Sequence, residues 1–213
     1  MNIRRHGGRP RKIAVLLALG ATIAAFELGR AGIADFLRLE SCAYLDFVQT
    51  TARRPDPAAL GRARERLELA KSIDAGNPVI HEYLAVVYVH RAKLVASDLP
   101  LHVAYLERAD ADYAEALALR PHSAYVWAGL AVVRGALLAA RARRGDSAME
   151  LAQQRAALQY AMRRAMALAA YEPAVLASMA SVGTSFRDGL DEDVVRGVDE
   201  MERRLRSVAA RRI

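Results

Sequence analysis

Residues 109–133 read ADADYAEALALRPHSAYVWAGLAVV and contain two helical patterns joined by a short turn. Steps of one, three and four residues place one set of side chains on a single helical stripe: Ala109, Tyr113, Ala116 and Leu117, followed by Leu119. Pro121 ends this stripe, because proline lacks an amide donor and disfavours helix at the residue before it. We therefore expect the first helix to end near Leu119. A second stripe begins after the turn with Ala124, Trp127, Leu130 and Ala131. The stretch predicts two antiparallel helices that approach closely through small side chains.

The same residues resemble the junction between two tetratricopeptide (TPR) units. That family has the pattern Ala-x3-Phe/Tyr-x2-Ala, then a proline five residues later, then Ala and Trp-x2-Leu-Gly/Ala. These positions are filled here by Ala109, Tyr113, Ala116, Pro121, Ala124, Trp127, Leu130 and Ala131. Arg134 stands where the family has a further tyrosine. The resemblance implies stacked helix hairpins whose first helices line a groove for peptides or partner proteins.

Two weaker copies of the pattern occur elsewhere in the chain. The first places Leu60, Ala63, Leu67, Ala70 and Ile73 before a turn at Asp74–Pro78, and His81, Leu84, Ala85 and Tyr88 after it. The second places Leu158, Met162, Ala165, Leu168 and Ala170 before the turn Tyr171-Glu172-Pro173, and Leu176, Met179 and Ala180 after it. The corresponding alanines Ala70, Ala116 and Ala165 are 46 and 49 residues apart, against about 34 in a regular TPR. Longer helices or longer links would both explain the difference.

Composition indicates an all-α fold, since alanine, leucine, arginine and glutamate dominate and aromatic residues are only 6%. The formal net charge is +7, but five of the basic residues precede residue 13. Without them the chain has 26 basic and 24 acidic residues. This balance argues against a nucleic-acid-binding surface. The motif Gly8-Arg9-Pro10-Arg11 resembles an AT-hook but is explained better by membrane topology.

A basic arm followed by the uncharged run Ile13–Phe26 indicates an N-terminal membrane segment. The run is shorter than the roughly 20 residues that span a bilayer, but extending it from Arg11 to Arg30 reaches that length. A retained single-pass anchor is our preferred interpretation, with the rest of the chain exported to the periplasm of a bacterial cell. A cleaved signal peptide and a buried amphipathic helix are the alternatives.

The next segment, Asp35–Thr51, also has helical periodicity. Three- and four-residue steps connect Phe36, Leu39, Ala43, Phe47 and Thr50, and we expect that this helix can continue directly from the membrane helix. Arg53-Arg54-Pro55-Asp56-Pro57 breaks the helix, and Asp56-Pro57 has the form of a cap and first turn for the next one. Cys42, the single cysteine, is expected to be a small buried residue.

The chain ends in a predicted capping helix with acidic residues at its start and arginines near its end. Its apolar face is expected to contain Val194, Val198, Met201, Leu205 and Val208. The predicted organisation is a basic cytoplasmic arm (1–12), a transmembrane signal-anchor (13–34), a juxtamembrane helix (35–54), a TPR-like helical repeat domain (55–190) and this capping helix (191–213). The fold class is an all-α, short TPR-like solenoid of antiparallel helix hairpins preceded by a transmembrane helix.

Motifs for catalysis, metal binding or cofactor binding are not evident in the sequence. Asp110 and Asp112 are expected on different sides of their helix, as are Asp191 and Asp193, and we interpret them as solvated or capping residues. The sequence predicts a protein that is not an enzyme, with no catalytic residue, metal ion or cofactor.

The predicted partner-binding groove is lined by residues beside the packing stripes of the two best-defined first helices. They are Glu82, Val86, Val89, Tyr125, Ala128 and Val132. This surface is largely apolar, without an evident Lys/Arg set for peptide carboxylates, so a hydrophobic helix or a membrane protein is the expected ligand. The alternative is that these residues pack against the next helix.

These features favour a scaffold that is anchored in the cytoplasmic membrane and binds other proteins of the cell envelope. Its architecture is similar to accessory proteins of bacterial exopolysaccharide biosynthesis and export, and also to cytochrome-maturation and division proteins with TPR repeats. An exported enzyme whose site is assembled from dispersed residues is the alternative of another class.

Overall fold

A computed structural model describes residues 9–51, 53–168 and 172–210 of the chain. Within these ranges the protein is helical, with no strand. The helices are α1 (Arg9–Thr51), α2 (Pro57–Ile73), α3 (Pro78–Leu94), α4 (Leu99–Leu119), α5 (Ala124–Arg144), α6 (Ala148–Leu168), α7 (Pro173–Phe186) and α8 (Glu192–Ala210), with a 3-10 turn at Arg187–Gly189. Residues 1–8 of the predicted arm, Ala170 and Tyr171 of the third junction, and the side chain of Val208 lie outside what is described.

Short polar residues followed by proline begin several of the helices. Asp56 accepts hydrogen bonds from the amides of Ala58 and Ala59 at 3.2 and 3.1 Å, and Pro57 begins α2 as the sequence predicted. Asn77 and Asp98 cap α3 and α4 in the same way. Such a cap contributes about 1 kcal/mol, because it satisfies an amide that has no partner within the helix. The caps thereby set where each turn occurs.

The helices pack as four hairpins, α1–α2, α3–α4, α5–α6 and α7–α8. The second helix of each hairpin also packs on the first helix of the next one, and one buried apolar cluster extends from Ala34 in α1 to Val198 in α8. This is the predicted solenoid of helix hairpins. The long spacing of the copies comes from the helices, since α4, α5 and α6 each have 21 residues and short links join them.

The stretch around Pro121 folds as its sequence predicts, and its nearest copy shares a specific contact. The first helix ends at Leu119, and the Trp127 indole Nε1 donates to the Pro121 carbonyl at 2.9 Å. At the corresponding positions, His81 Nε2 lies 3.0 Å from the Ala75 carbonyl. A ring nitrogen therefore holds the preceding turn at the same six-residue separation in both copies. This shared contact supports the alignment made from the sequence.

Arg134, which replaces the expected tyrosine, connects three helices of the body. It donates to Asp110 of α4 at 2.9 Å and to the Ala157 carbonyl of α6 at 3.0 Å. Tyr88, at the corresponding position of α3, donates to Glu68 of α2. The position keeps its role of joining neighbouring hairpins although the side chain differs.

Helix α1 is continuous across the predicted boundary between residues 34 and 35. Arg30 donates to the Ile73 carbonyl of α2 at 2.6 Å, and Ala34 is fully buried. Tyr83 of α3 donates to Asp46 at 2.8 Å. The second half of α1 is thus the first helix of the first hairpin, with no linker between it and the N-terminal half.

Residues 35–51 are helical as predicted, but the residues whose spacing indicated the helix are not those that pack on the body. Phe36 is 77% exposed, Leu39 66% and Phe47 50%, and Ala43 and Thr50 are exposed as well. The face that packs on the body consists of Ala34, Ser41, Cys42, Leu45 and Val48. Both sets have helical spacing, but the second is smaller in volume and lets α1 lie close to α2, where Ser41 donates to the Ala63 carbonyl at 3.5 Å.

Two helices are long and apolar enough to cross a membrane by length and composition. In α5, 56% of the apolar segment is buried in the body, so the core accounts for it. In α1 only 6% of the corresponding segment is buried, and the side chains of residues 17–29 are exposed. The N-terminal half of α1 is therefore the candidate membrane anchor or signal sequence. Because Ala34 is buried, its free part ends near Arg30.

Candidate partner-binding groove

All six residues predicted to line the groove border one of two adjoining cavities. The larger, of about 630 Å³, is bordered by Val86, Val89 and Val132. The smaller, of about 280 Å³, is bordered by Glu82, Val86, Tyr125 and Ala128. The cavities open where the first helices α3 and α5 face each other, and α1 completes the wall through Val48 and Gln49.

The six residues differ in how much of each side chain is accessible. Tyr125 is 51% exposed and Val132 40%, so part of each side chain is accessible from the groove. Val86 and Ala128 are buried, at 8% and 4%. Glu82 and Val89 are intermediate. A partner in the groove would contact the exposed pair most directly, and the buried pair determines the shape of the surface beneath.

Tyr113 of α4 forms the floor shared by both cavities, together with Gly129 of α5. A Cβ at position 129 would lie 2.6 Å from the Tyr113 Cζ, so only glycine leaves room for the ring. Within the described ranges the Tyr113 hydroxyl has no hydrogen-bond partner, although the residue is only 7% exposed. Burial, and secondarily the charge of Glu82, raises the pKa of Tyr113, which keeps its hydroxyl protonated.

Two residues that border the smaller cavity, Glu82 and Tyr125, are engaged in polar contacts with other parts of the body. Glu82 accepts from Arg120 at 2.6 Å, and Tyr125 donates to Glu172 at 2.6 Å. Burial raises the pKa of the Glu82 carboxyl, and the Arg120 guanidinium opposes that shift. These side chains are engaged with the protein itself, so the cavity at this end offers few free polar groups.

The larger cavity differs, because cations border it and acidic residues do not, among the residues described. Arg53 and Arg54 follow α1, and Lys93 lies near the end of α3. His90 also borders it, is 9% exposed and forms no hydrogen bond within the described part of the chain. Burial, and then the charge of Lys93, lowers the pKa of His90. The sequence analysis missed this basic set, because Arg53 and Arg54 were interpreted only as a helix break.

The carboxylates expected on solvated surfaces are engaged in ion pairs. Asp112 is 7% exposed and lies 2.9 Å from the Lys71 Nζ and 3.4 Å from the His81 Nδ1, so it is not a surface residue. Asp191 and Asp193, expected to face different sides, both accept from Arg163, at 2.6 and 2.7 Å. Asp191 precedes the first turn of α8, so helical spacing does not separate the two. Both sites join neighbouring helices.

Other candidates for chemistry are few in the described part of the chain. It holds no group of three or more His, Cys, Asp or Glu side chains placed to bind a metal ion. Cys42 is buried, as expected, and burial raises the pKa of its thiol to about 11. A thiol with that pKa is a poor nucleophile near neutral pH.

No family model, curated protein or solved structure matches this chain.

Proposed function

We propose that this protein is a membrane-anchored, TPR-like scaffold that binds a partner protein of the bacterial cell envelope in the groove between α3 and α5. The observation that carries the proposal is the exposed pair Tyr125 and Val132 beside two cavities that the hairpins leave open. Open concave sites between packed elements are where proteins commonly bind ligands. The TPR-like assignment rests on the repeated junction and on its shared contact at Trp127 and His81.

The rigid connection between the apolar half of α1 and the body supports a role at the membrane surface. Because Arg30 and Ala34 already contact the body, the groove would be held at a fixed distance from a bilayer crossed by residues before Arg30. We infer a single-pass orientation in the cytoplasmic membrane with the body in the periplasm, from the basic arm. A role in exopolysaccharide biosynthesis or export is proposed on this architecture alone.

Topology is tested with reporter fusions placed after Arg54, in the exposed turn, and at the C-terminus. A periplasmic reporter such as alkaline phosphatase should be active at both sites, and the protein should fractionate with membranes. A soluble protein with reporters active only in the cytoplasm would refute the exported orientation.

The groove is tested by photo-crosslinking in native membranes, with the crosslinker at residue 128. The double substitution Tyr125→Ser and Val132→Ser should reduce recovery of the crosslinked partner at least tenfold without changing thermal stability by more than a few degrees. The matched control replaces Leu69 and Leu119, which are 51% and 45% exposed outside both cavities. Equal loss of the partner in both double variants would contradict the groove assignment.

A further inference from the structure

We propose that two copies of this protein pair in parallel through the exposed face of α1. This inference goes beyond the binding of a partner in the groove and rests only on the membrane anchor of the proposed function. The juxtaposition that carries it is an apolar stripe beyond the candidate membrane segment, in line on the same helix with small residues inside that segment. The stripe consists of Phe36, Leu39 and Phe47, which are all 50% exposed or more.

The stripe continues into the apolar half of α1 with the spacing of a helix-pairing seam. Steps that alternate between four and three residues connect a series of exposed residues, with an average of about 3.5 residues per step. Such a repeat keeps one face of a helix towards a partner helix along its whole length. We call this series the seam, and it consists of Ala18, Thr22, Ala25, Gly29, Gly32, Phe36, Leu39 and Ala43.

Gly29 and Gly32 are not explained by packing within one copy. A Cβ at either position would have no described neighbour within 4 Å, and glycine inside a helix is less stable than alanine. In membranes, small residues let the backbones of two helices approach closely. A helix of another molecule would use the space that these glycines leave.

A bilayer that α1 crosses cannot cover the stripe. Helix α1 is continuous, and Phe36 and Phe47 lie about 9 and 26 Å beyond Arg30 at 1.5 Å per residue. The headgroup region extends only about 5–8 Å beyond the hydrocarbon core on each side. The cover is therefore a protein that runs beside α1 from the membrane to Phe47.

A second copy of this chain meets that requirement. Its own α1 crosses the same membrane in the same direction, so a two-fold axis parallel to the helices brings each seam residue opposite its equivalent. The body does not obstruct this contact, because Ala34, Leu45 and Val48 pack on the opposite side of α1. The two bodies would lie outwards on either side of the paired helices.

The apolar area of this face approaches that of a stable dimer. A phenylalanine side chain buries about 150–250 Å², so the exposed parts of Phe36 and Phe47 offer roughly 200–300 Å² per copy. A standard interface buries about 800 Å² per partner. The other seam residues supply further area along about 40 Å of helix.

Polar groups beside the stripe do not oppose pairing. Glu40 pairs with Arg66, and Asp35 pairs with Arg38 at 2.9 Å, so these charges are offset within each copy. An open cavity of about 360 Å³ lies beside Phe36, between α1 and Arg66. It has room for an aromatic ring from the second copy.

Disulfide trapping in native membranes tests the contact. In a Cys42→Ala background, Ala43→Cys places a thiol on the seam, and the matched control Gln49→Cys places one at an exposed position on the other side of α1. Mild oxidation should join two differently tagged copies through position 43, with a yield about tenfold higher than through position 49. The reason is that a disulfide needs Cα atoms within about 7 Å of each other, which paired helices provide only on the seam side.

The glycines provide a variant that leaves the single copy intact. Gly29→Leu with Gly32→Leu should lower the disulfide yield at position 43 about tenfold, because leucine side chains keep the two backbones apart. Gly20→Leu is the matched control. A Cβ there also has no described neighbour within 4 Å, but Gly20 lies on the other side of α1, so the yield should not change. Thermal stability should not fall in either variant, since leucine has the higher helix propensity.

A photoreactive benzoylphenylalanine at position 36 identifies what covers the stripe. A product that contains two differently tagged copies supports pairing. A product with another protein, or attachment to lipid alone, would overturn the proposal. Equal disulfide yields at positions 43 and 49, or a yield at position 43 that the Gly29 and Gly32 substitutions leave unchanged, would also overturn it.

The outcomes distinguish this proposal from the scaffold function. If the protein is exported, membrane-bound and crosslinked to its groove partner but forms no disulfide at position 43, the scaffold stands and self-pairing is refuted. If copies pair while the Tyr125 and Val132 variant recovers its partner normally, pairing stands and the groove assignment is refuted. A soluble protein with cytoplasmic reporters would refute the anchor and, with it, the pairing that depends on the anchor.

Discussion

Substitution of Gly183 by alanine tests how closely the last hairpin packs. Gly183 lies in α7, and a Cβ there would lie 2.5 Å from both methyl carbons of Val198 in α8. Val198 is 1% exposed and is branched at Cβ, so it has no free rotamer into which it can move. Favourable carbon–carbon contacts are about 3.5–4.0 Å, so the two helices would have to separate by roughly 1 Å.

The expected effect changes sign with the residue at position 198. In the native background, overpacking lowers the free energy of unfolding by about 1–3 kcal/mol. The higher helix propensity of alanine offsets about 1 kcal/mol of this, so the net loss of stability is about 0–2 kcal/mol. Val198→Ala alone should cost about 2 kcal/mol, because it deletes two buried methyl groups. In that background the methyl group added by Gly183→Ala fills part of the cavity. The Cβ that alanine keeps at position 198 would still lie 3.0 Å from the added carbon, so a small overpacking cost remains. There we expect Gly183→Ala to stabilise the protein by about 0.5 kcal/mol.

The assay is denaturant unfolding of the four proteins of this double-mutant cycle in detergent. Far-UV circular dichroism is the suitable signal, because Trp127 lies in α5 and would not report local detachment of α8. A coupling energy of about 0.5–2.5 kcal/mol is expected. Effects of Gly183→Ala that agree within about 0.5 kcal/mol in the two backgrounds would refute the close contact, since uncoupled sites are additive to that extent.

Two further predictions concern titratable groups. Cys42 is buried and its pKa is raised to about 11, so iodoacetamide at pH 8 should label the native protein slowly and the unfolded protein completely; rapid native labelling would contradict the docking of α1. The hydrogen bonds from Arg163 hold the pKa of Asp193 at about 2, below its usual 3.8. Because the folded pKa is the lower one, this stabilisation is present above pH 4 and is lost as the pH falls towards 2. The melting-temperature difference between the native protein and Arg163→Gln should therefore shrink between pH 4.5 and pH 2.5, and a constant difference would contradict this assignment.

Helix boundaries in this chain could be predicted because local chemistry sets them. Pro57, Pro78 and Pro121 each stand beside a polar cap or turn, and the structure begins or ends a helix within a few residues of each. The alignment of the three repeat copies could also be made from the sequence. The alanines that it places at equivalent positions, Ala70, Ala116 and Ala165, are all fully buried. Ion pairs between hairpins, such as Lys71 with Asp112, could not be predicted, because they depend on how hairpins rotate against each other.

The tyrosine position shows why one motif can be lost without loss of the fold. Tyr88 and Arg134 each reach from a first helix to neighbouring second helices. Gly183 holds the same position in the third copy, and Val198 of α8 occupies the space that a side chain would fill. The physical requirement is a filled volume at the junction of three helices, which a long side chain on one helix or a branched one on its neighbour can satisfy. A search for tyrosine alone would find the copy with Tyr88 and miss the copies with Arg134 and Gly183.

The basic residues at the larger cavity were missed because helical spacing in the sequence does not fix how α1 rotates about its axis. Helix α1 has two apolar stripes, and the one with the larger side chains Phe36, Leu39 and Phe47 is exposed. The true packing face is the smaller one, because close approach to α2 excludes bulky residues. Packing through Leu45 and Val48 brings Gln49 and the following turn to the groove, and with them Arg53 and Arg54. The rotation of α1 about its axis therefore decides whether the groove has a basic end. Close packing in three dimensions selects that rotation, and one-dimensional periodicity does not.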